Sequence, residues 1–160
     1  MGASINSLDS IDRALLNALQ ENARISNAEL ARQVDLSPSG LQKRLRKLQD
    51  QGLVEQYTAI LNRQALGYDM VCIVHITLNR HSTDGVENFR TTMQAIPEVQ
   101  ECYQLTGMDD YLLKIIVRNV EHLEFFLTNT LTPIPAIDRF RTSVVLKEIK
   151  SSTVVPIHDK

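Results

Sequence analysis

The residues best suited to chemistry in this chain are basic side chains concentrated between Ser37 and Gln49. This segment contains four Lys or Arg residues and no Asp or Glu, whereas residues 1–61 contain seven basic and seven acidic residues. On a helix, the leucines of the segment lie on one side and its polar residues on the other. The expected DNA contacts are Ser37, Ser39, Gln42, Lys43, Arg46 and Lys47, with Arg44 at the flank. Such a face neutralises phosphates and reaches base edges, although ordinary solvated helices often carry similar charges.

Two short helices are predicted to precede this basic face. Apolar residues recur at helical spacing from about Asp9 to Glu21, which predicts the first helix. Ser26 and Glu29 have the spacing of a capping box, which predicts that a second helix begins there.

A sharp break then leads into the helix that carries the basic face. Asp35 stands where a left-handed residue is needed, and aspartate tolerates that conformation better than most residues. Ser37-Pro38 predicts the start of the third helix, and Gly52 predicts its end. Residues 53–61 are expected to form a short strand pair or an extended arm. This order of elements is typical of a helix-turn-helix domain.

The rest of the chain alternates between strand-like and helix-like segments. The predicted order is strand, helix, strand, strand, helix, strand, at residues 69–79, 84–95, 99–106, 111–118, 120–131 and 137–149. This βαββαβ order predicts a ferredoxin-like domain, so the fold class is α+β. The expected organisation is therefore a DNA-binding domain at 1–61, a hinge at 62–68 and a second domain at 69–160.

The second domain lacks the residue spacing that an enzyme or a metal site requires. Its histidines occur singly, and the sequence has no Cys-x-x-Cys pair, Walker loop or GxGxxG motif. Ser143 and Asp138 lie on one predicted strand without a histidine placed to complete a triad. We therefore expect no catalytic residues, no metal and no cofactor.

The turn between the central strands admits two interpretations. Thr106-Gly107-Met108-Asp109-Asp110 joins two strands, and its glycine and aspartates are typical of a simple solvated hairpin turn. Taken alone, the residues favour that interpretation over a binding loop.

Several segments together resemble the Lrp/AsnC family, the leucine-responsive or feast/famine transcription regulators of bacteria and archaea. The similar segments are LDSIDRALL from Leu8, ISNAEL from Ile25, LSPSGLQKRL from Leu36, YTAILN from Tyr57, ITLNR from Ile76 and GMDDYLL from Gly107. The resemblance covers essentially the whole chain. It implies a winged helix-turn-helix domain joined by a hinge strand to a ferredoxin-like ligand-sensing domain.

The resemblance also implies a binding site for a small effector, usually an amino acid, between adjacent dimers. Its expected residues are Thr106, Gly107, Met108, Asp109, Asp110, Ser143, Val144 and Val145. In this arrangement Asp110 accepts hydrogen bonds from the ligand ammonium and amides near Gly107 hold its carboxylate, while Asp109 points to solvent.

Alternation along the strands predicts a second apolar sheet face, with Val71, Ile73, Val145 and Ile149 exposed. Helices on one side of a sheet cannot cover both faces, which argues for a homodimer. The resemblance further implies tetramers of dimers. The alternative is a DNA-architectural protein without an effector.

Composition limits where this protein is expected to work. The formal charge of −2 argues against a uniformly basic surface for nucleic acid or membrane. The N-terminal residues lack the pattern of a signal peptide, and no apolar run is long enough to span a membrane. With two cysteines expected to be reduced, a cytoplasmic protein with no membrane role is predicted.

Overall fold

The structure is a computed structural model that describes residues 8–79 and 83–157 and contains two units. One unit joins the residues up to Ile60 with the segment that begins at Lys150, and the other is Leu61–Ile149. Arg80, which belongs to the ITLNR segment, and His81 and His158 lie outside the described residues, as does the beginning of the segment assessed for a signal peptide.

The first unit contains three helices, α1 (Ser10–Glu21), α2 (Asn27–Gln33) and α3 (Pro38–Asp50). Ser26 Oγ accepts a hydrogen bond from the Glu29 amide, and Ser37 Oγ accepts one from the Gly40 amide. Both serine caps are therefore confirmed. The Glu29 carboxylate pairs with Arg32 one turn later.

Backbone conformation explains the sharp breaks before and after α3. Asp35 has a φ of 52°, as predicted, and the Leu36 amide donates to the Ala31 carbonyl at 2.9 Å. Gly52 has a φ of 70° and ends the third helix, again as predicted. The helices enclose a leucine core formed by Leu15, Leu30, Leu41 and Leu48.

Residues 54–60 form neither helix nor strand, so the strand pair that was one expectation for this region is wrong. The described residues of the first unit contain no strand with which this backbone could pair. The segment is an arm without regular structure.

The C-terminal segment belongs with the first unit, whereas the predicted boundaries placed it in the second domain. The side-chain amide of Gln20 forms two hydrogen bonds with the backbone of Val155. The Val155 amide donates to Gln20 Oε1 at 2.6 Å, and Gln20 Nε2 donates to the Val155 carbonyl at 3.1 Å. Ile157 packs against the leucine core. These contacts explain the grouping.

The second unit has the predicted βαββαβ order. Its elements are β1 (Met70–Leu78), α4 (Thr83–Ala95), β2 (Val99–Gln104), β3 (Tyr111–Val117), α5 (Val120–Phe125), which continues as a π-helical segment (Phe126–Leu131), and β4 (Ile137–Val144). The strands lie in the order β2-β3-β1-β4 and all neighbours are antiparallel. This confirms the ferredoxin-like arrangement.

The sheet has one face against the helices and one face without helices, which we call the open face. Cys72, Val74 and Ile76 of β1 point into the core beneath the helices. The alternate residues lie on the open face. They are Val71, Ile73, His75 and Thr77 of β1, Leu112, Lys114 and Ile116 of β3, and Arg139, Arg141 and Ser143 of β4.

Two residues depart from the prediction of exposed apolar residues on this face. Val71 lies on the open face, in register with Ile116, but only 5% of its surface is exposed. Ile149 lies beyond β4, which ends at Val144 instead of residue 149. Beyond the end of β4, one further hydrogen bond joins the chain to β1, from the Val145 amide to the Val71 carbonyl at 2.9 Å. Val145 therefore remains beside the sheet, whereas Ile149 does not.

The two cysteines are free and lie in different environments. Cys72 is fully buried in the core, and this burial raises the pKa of its thiol. Cys102 is exposed on β2, one of the two edge strands of the sheet. Within the described residues, no helix has both the length and the apolar character needed to cross a bilayer.

We expect Asp35→Gly to be more stable than Asp35→Ala by about 1 kcal/mol, because only a residue with Cβ is strained in the left-handed conformation. Both variants remove the same carboxylate, so the difference reports the strain on Ala, reduced by the larger conformational entropy that Gly loses on folding. Urea denaturation monitored by circular dichroism measures it. Equal unfolding midpoints would show that the backbone at position 35 carries no net penalty for a residue with Cβ.

Candidate nucleic-acid interface and ligand cavity

The exposed face of α3 holds most of the polar residues that the sequence assigned to DNA. Ser39, Gln42, Lys43 and Arg46 are exposed and follow helical spacing along one side. The Lys43 and Arg46 side chains thus lie one turn apart on a surface free to meet a phosphate backbone. Ser37 is also at this surface, but its Oγ caps α3 and lies 3.3 Å from Ser39 Oγ.

Arg44 points in a different direction and binds α1. Its Nη1 donates to Asp12 Oδ1 at 2.7 Å and to Asp9 Oδ2 at 2.6 Å. Asp12 is completely buried, and its Oδ2 lies 3.5 Å from Lys47 Nζ. The structure therefore uses the Arg44 guanidinium to join α3 to α1, and it brings Lys47 partly into the same network.

The contact between Arg44 and α1 also shifts the pKa of Asp9 and of Arg44. A hydrogen bond from the Asp12 amide and a second from Arg44 lower the pKa of Asp9. Hydrogen bonds to Asp9 and Asp12 in turn raise the pKa of Arg44. Because both effects favour the charged forms, the pair persists at neutral pH.

Asp110 has a structural role in the turn between β2 and β3. Its Oδ2 accepts a hydrogen bond from the Leu78 amide at 2.8 Å, and its own amide donates to the Ile76 carbonyl at 2.9 Å. Its carbonyl accepts from the Leu105 amide at 2.8 Å. Asp110 thus attaches the turn to the end of β1, and one of its carboxylate oxygens is already engaged.

Asp109 points to the open face rather than to solvent, so the expected orientation is wrong. Its side chain is 19% exposed. Asp109 Oδ2 lies 3.1 Å from His75 Nδ1 and 3.2 Å from Arg141 Nη2. The contact with Arg141 is a hydrogen bond, whereas the one with His75 is close without hydrogen-bond geometry. Asp109 therefore faces the side chains of β1 and β4, whereas Asp110 binds the backbone at the end of β1.

A cavity of about 340 Å³ opens beside Asp109. Its lining residues are His75, Thr77, Met108, Asp109, Arg139, Phe140 and Arg141. Its volume lies at the small end of the range for ligand sites, which suits a molecule the size of an amino acid. We call it the β1–β4 cavity.

The remaining expected effector residues lie around this cavity to different extents. Thr106 and Gly107 are exposed in the turn, and Gly107 has a φ of 124° that favours glycine. Ser143 lies two residues from Arg141 on the open face, in register with Ile73. Val144 is on the opposite face of β4, and Val145 follows the strand. The structure therefore brings Met108 and Asp109 together at the cavity, but not Val144.

Sequence reasoning missed five lining residues of the β1–β4 cavity, namely Phe140 and the open-face residues His75, Thr77, Arg139 and Arg141. Alternation places His75 and Thr77 on one face of β1, and it places Arg139 and Arg141 on one face of β4. The signal that joins them is the pairing of β1 with β4, in which His75 lies opposite Arg141 and Thr77 opposite Arg139. That register links residues 62 positions apart, and the sequence alone does not determine it.

Comparisons with known proteins match both units. Residues 8–55 match the winged helix-turn-helix DNA-binding family, and residues 71–155 match the Lrp/AsnC ligand binding domain. The leucine-responsive regulatory protein of Escherichia coli is 43% identical over 145 residues, which cover 91% of this chain and 88% of that protein.

Solved structures agree with these matches. A transcriptional regulator from Neisseria meningitidis in complex with L-Met has a TM-score of 0.91 and 35% identity, and the match covers 94% of this chain and 97% of that one. AsnC of Escherichia coli has a TM-score of 0.84 and 30% identity, covering 93% and 99%. The named relatives are regulators rather than enzymes.

We expect Arg44→Met to destabilise the first unit by about 3 kcal/mol, because it leaves the buried Asp12 carboxylate without its main partner. Arg46→Met on the exposed side of the same helix is the matched control and should change stability by less than about 0.5 kcal/mol. Chemical denaturation of both variants measures the difference. Equal effects would mean that Arg44 does not hold α3 against α1.

Proposed function

The chain belongs to the Lrp/AsnC family of transcription regulators, and we propose that its α3 binds DNA while its β1–β4 cavity receives an amino-acid effector. The family supplies a DNA-binding domain and a ligand-binding domain. The observation that carries the first part of the proposal is the exposed basic face of α3, and the ligand-binding match argues against a purely architectural protein.

The proposed DNA contacts fall into groups according to the exposure of each side chain and the contacts that it makes. Lys43 and Arg46 are the proposed phosphate or base contacts, with Ser39 and Gln42 beside them at base edges. Arg44 sets the position of the helix through Asp12 and is not assigned a DNA contact. Ser37 and Lys47, at the edges of the face, are secondary contacts. Because DNA is the target, the proposed location is the cytoplasm.

Lys43→Ala and Arg46→Ala should each weaken binding to DNA, because each removes a cation from the proposed interface. The slope of log affinity against log salt should become shallower by about one unit for each phosphate that is no longer neutralised. Fluorescence anisotropy at several salt concentrations, with a labelled DNA duplex selected for binding to the wild-type protein, measures both quantities.

Arg24→Ala provides a comparison, since Arg24 is an exposed basic residue outside α3. Wild-type affinity and slope in both α3 variants would contradict the assignment of this face to DNA.

An amino-acid effector is proposed on the basis of the cavity and of a relative. The regulator from Neisseria meningitidis was solved with L-Met. In this chain, the β1–β4 cavity offers a carboxylate and guanidinium groups, the partners that an ammonium and a carboxylate require. Asp109 replaces Asp110 as the proposed acceptor for the ammonium, because Asp109 lines the cavity whereas Asp110 binds the Leu78 amide at the end of β1.

The proposed assembly is a homodimer formed through the open face, with tetramers of dimers as the larger form that the family implies. Ile73, Leu112 and Ile116 are half-buried apolar residues at the centre of this face. No helix of the described chain covers them, so a second copy is the proposed cover.

Ile73→Asp should raise the dimer dissociation constant at least about tenfold, because it places an unpaired charge within the interface. Phe125→Asp is the matched control, since Phe125 is exposed on the helical side of the unit. Analytical ultracentrifugation over a concentration series distinguishes the two variants. A monomeric wild-type protein at micromolar concentration would contradict the proposed dimer.

A further inference from the structure

The charges around the β1–β4 cavity do not balance. Asp109 is the carboxylate among its lining residues, whereas Arg139 and Arg141 contribute two permanent positive charges and His75 a third basic group. Arg141 is paired with Asp109. Arg139 Nε donates to the neutral hydroxyl of Thr77 at 3.3 Å. Among the described residues, no carboxylate pairs with Arg139.

We propose that the effector carries a second carboxylate, as in an acidic amino acid such as L-aspartate or L-glutamate. This inference rests on the proposed function, because it specifies the ligand of the same cavity. The α-ammonium and α-carboxylate of an amino acid form a neutral pair that Asp109 and Arg141 can match. The guanidinium of Arg139 is then left for a further anion.

The geometry of a guanidinium favours a carboxylate at this position. Its planar fork donates two parallel hydrogen bonds to the two oxygens of one carboxylate. Arg139 donates its Nε–H to Thr77, which orients the group and leaves its terminal Nη atoms free to donate. A neutral side-chain amide in the same place provides one acceptor oxygen and no negative charge.

The second copy proposed on the open face would strengthen this selection. His75, Arg139 and Arg141 all lie on that face, so the partner would exclude water from the cavity. Charge-assisted hydrogen bonds gain strength as water is excluded, and an unpaired guanidinium becomes costly. A ligand without the second carboxylate would leave Arg139 in that state.

Isothermal titration calorimetry with matched ligands tests the inference on the full-length wild-type protein. L-glutamate and L-aspartate are compared with L-glutamine and L-asparagine, which have the same shape without the second charge. We expect the acids to bind at least about tenfold more tightly than their amides, as expected for removal of a charge-assisted hydrogen bond. Glutarate, which has two carboxylates and no ammonium, tests whether the amino group is recognised.

Arg139→Gln should remove the preference for the acids while leaving the affinity for L-glutamine unchanged. Arg118→Gln, which changes an exposed arginine outside the cavity, should keep the preference. Binding of L-glutamine by Arg139→Gln also shows that the variant is folded. If Arg139→Gln retains the wild-type preference, the assignment of Arg139 is overturned.

The outcomes separate this inference from the proposed function. If a neutral amino acid such as L-methionine or L-glutamine binds as tightly as the acids, the inference is overturned and the amino-acid effector stands. If glutarate binds as tightly as L-glutamate, the second carboxylate is supported and the amino-acid effector is contradicted. If none of the twenty amino acids binds, the effector proposal and the inference that rests on it both fail.

Discussion

The alternation of side chains along β1 is the constraint on which the second unit depends. Because β1 lies between β3 and β4, every second residue must point into the core and the others must point away. Val74 and Ile76 bury their side chains against the helices. His75 and Thr77 consequently face the opposite side, where β4 brings Arg141 and Arg139 beside them. The same register that forms the core therefore forms the cavity.

In the first unit, the buried Asp12 carboxylate has a comparable influence. Burying a carboxylate is costly unless a cation and hydrogen bonds compensate it. Arg44 provides this compensation from α3. The interaction holds α3 against α1 and engages Arg44 on the inner side of the helix. Helical spacing leaves Lys43 and Arg46 on the outer face.

The sequence contained enough local information for the helices, and for the order of the strands. Ser26, Ser37 and Gly52 act on backbone groups within a few residues, so their roles can be inferred from short segments. The role of Arg44 could not be inferred in this way, because helical spacing placed it at the flank of α3. Only the position of α1 shows that its side chain points inward to Asp12.

Asp109 and Asp110, in a single turn, likewise have roles that the sequence could not separate. Their side chains differ by one residue, and the direction of each depends on how the turn joins β1. The hydrogen bond from the Leu78 amide to Asp110 fixes that junction and turns Asp109 toward His75. A motif identified both aspartates as important, but the contact that separates their roles comes from a strand more than 30 residues earlier.

Assembly and ligand binding would be linked through the charges of the open face. Lys114 pairs with Glu101 at 3.1 Å, and Arg141 pairs with Asp109, so these cations are compensated before any second copy arrives. Arg139 has a neutral partner, and covering it without an anion costs free energy. If a ligand carboxylate compensates Arg139, the ligand lowers the cost of covering the face. Linkage then requires that dimerisation raise the affinity for the ligand by the same factor. A single uncompensated guanidinium is sufficient to couple the two equilibria.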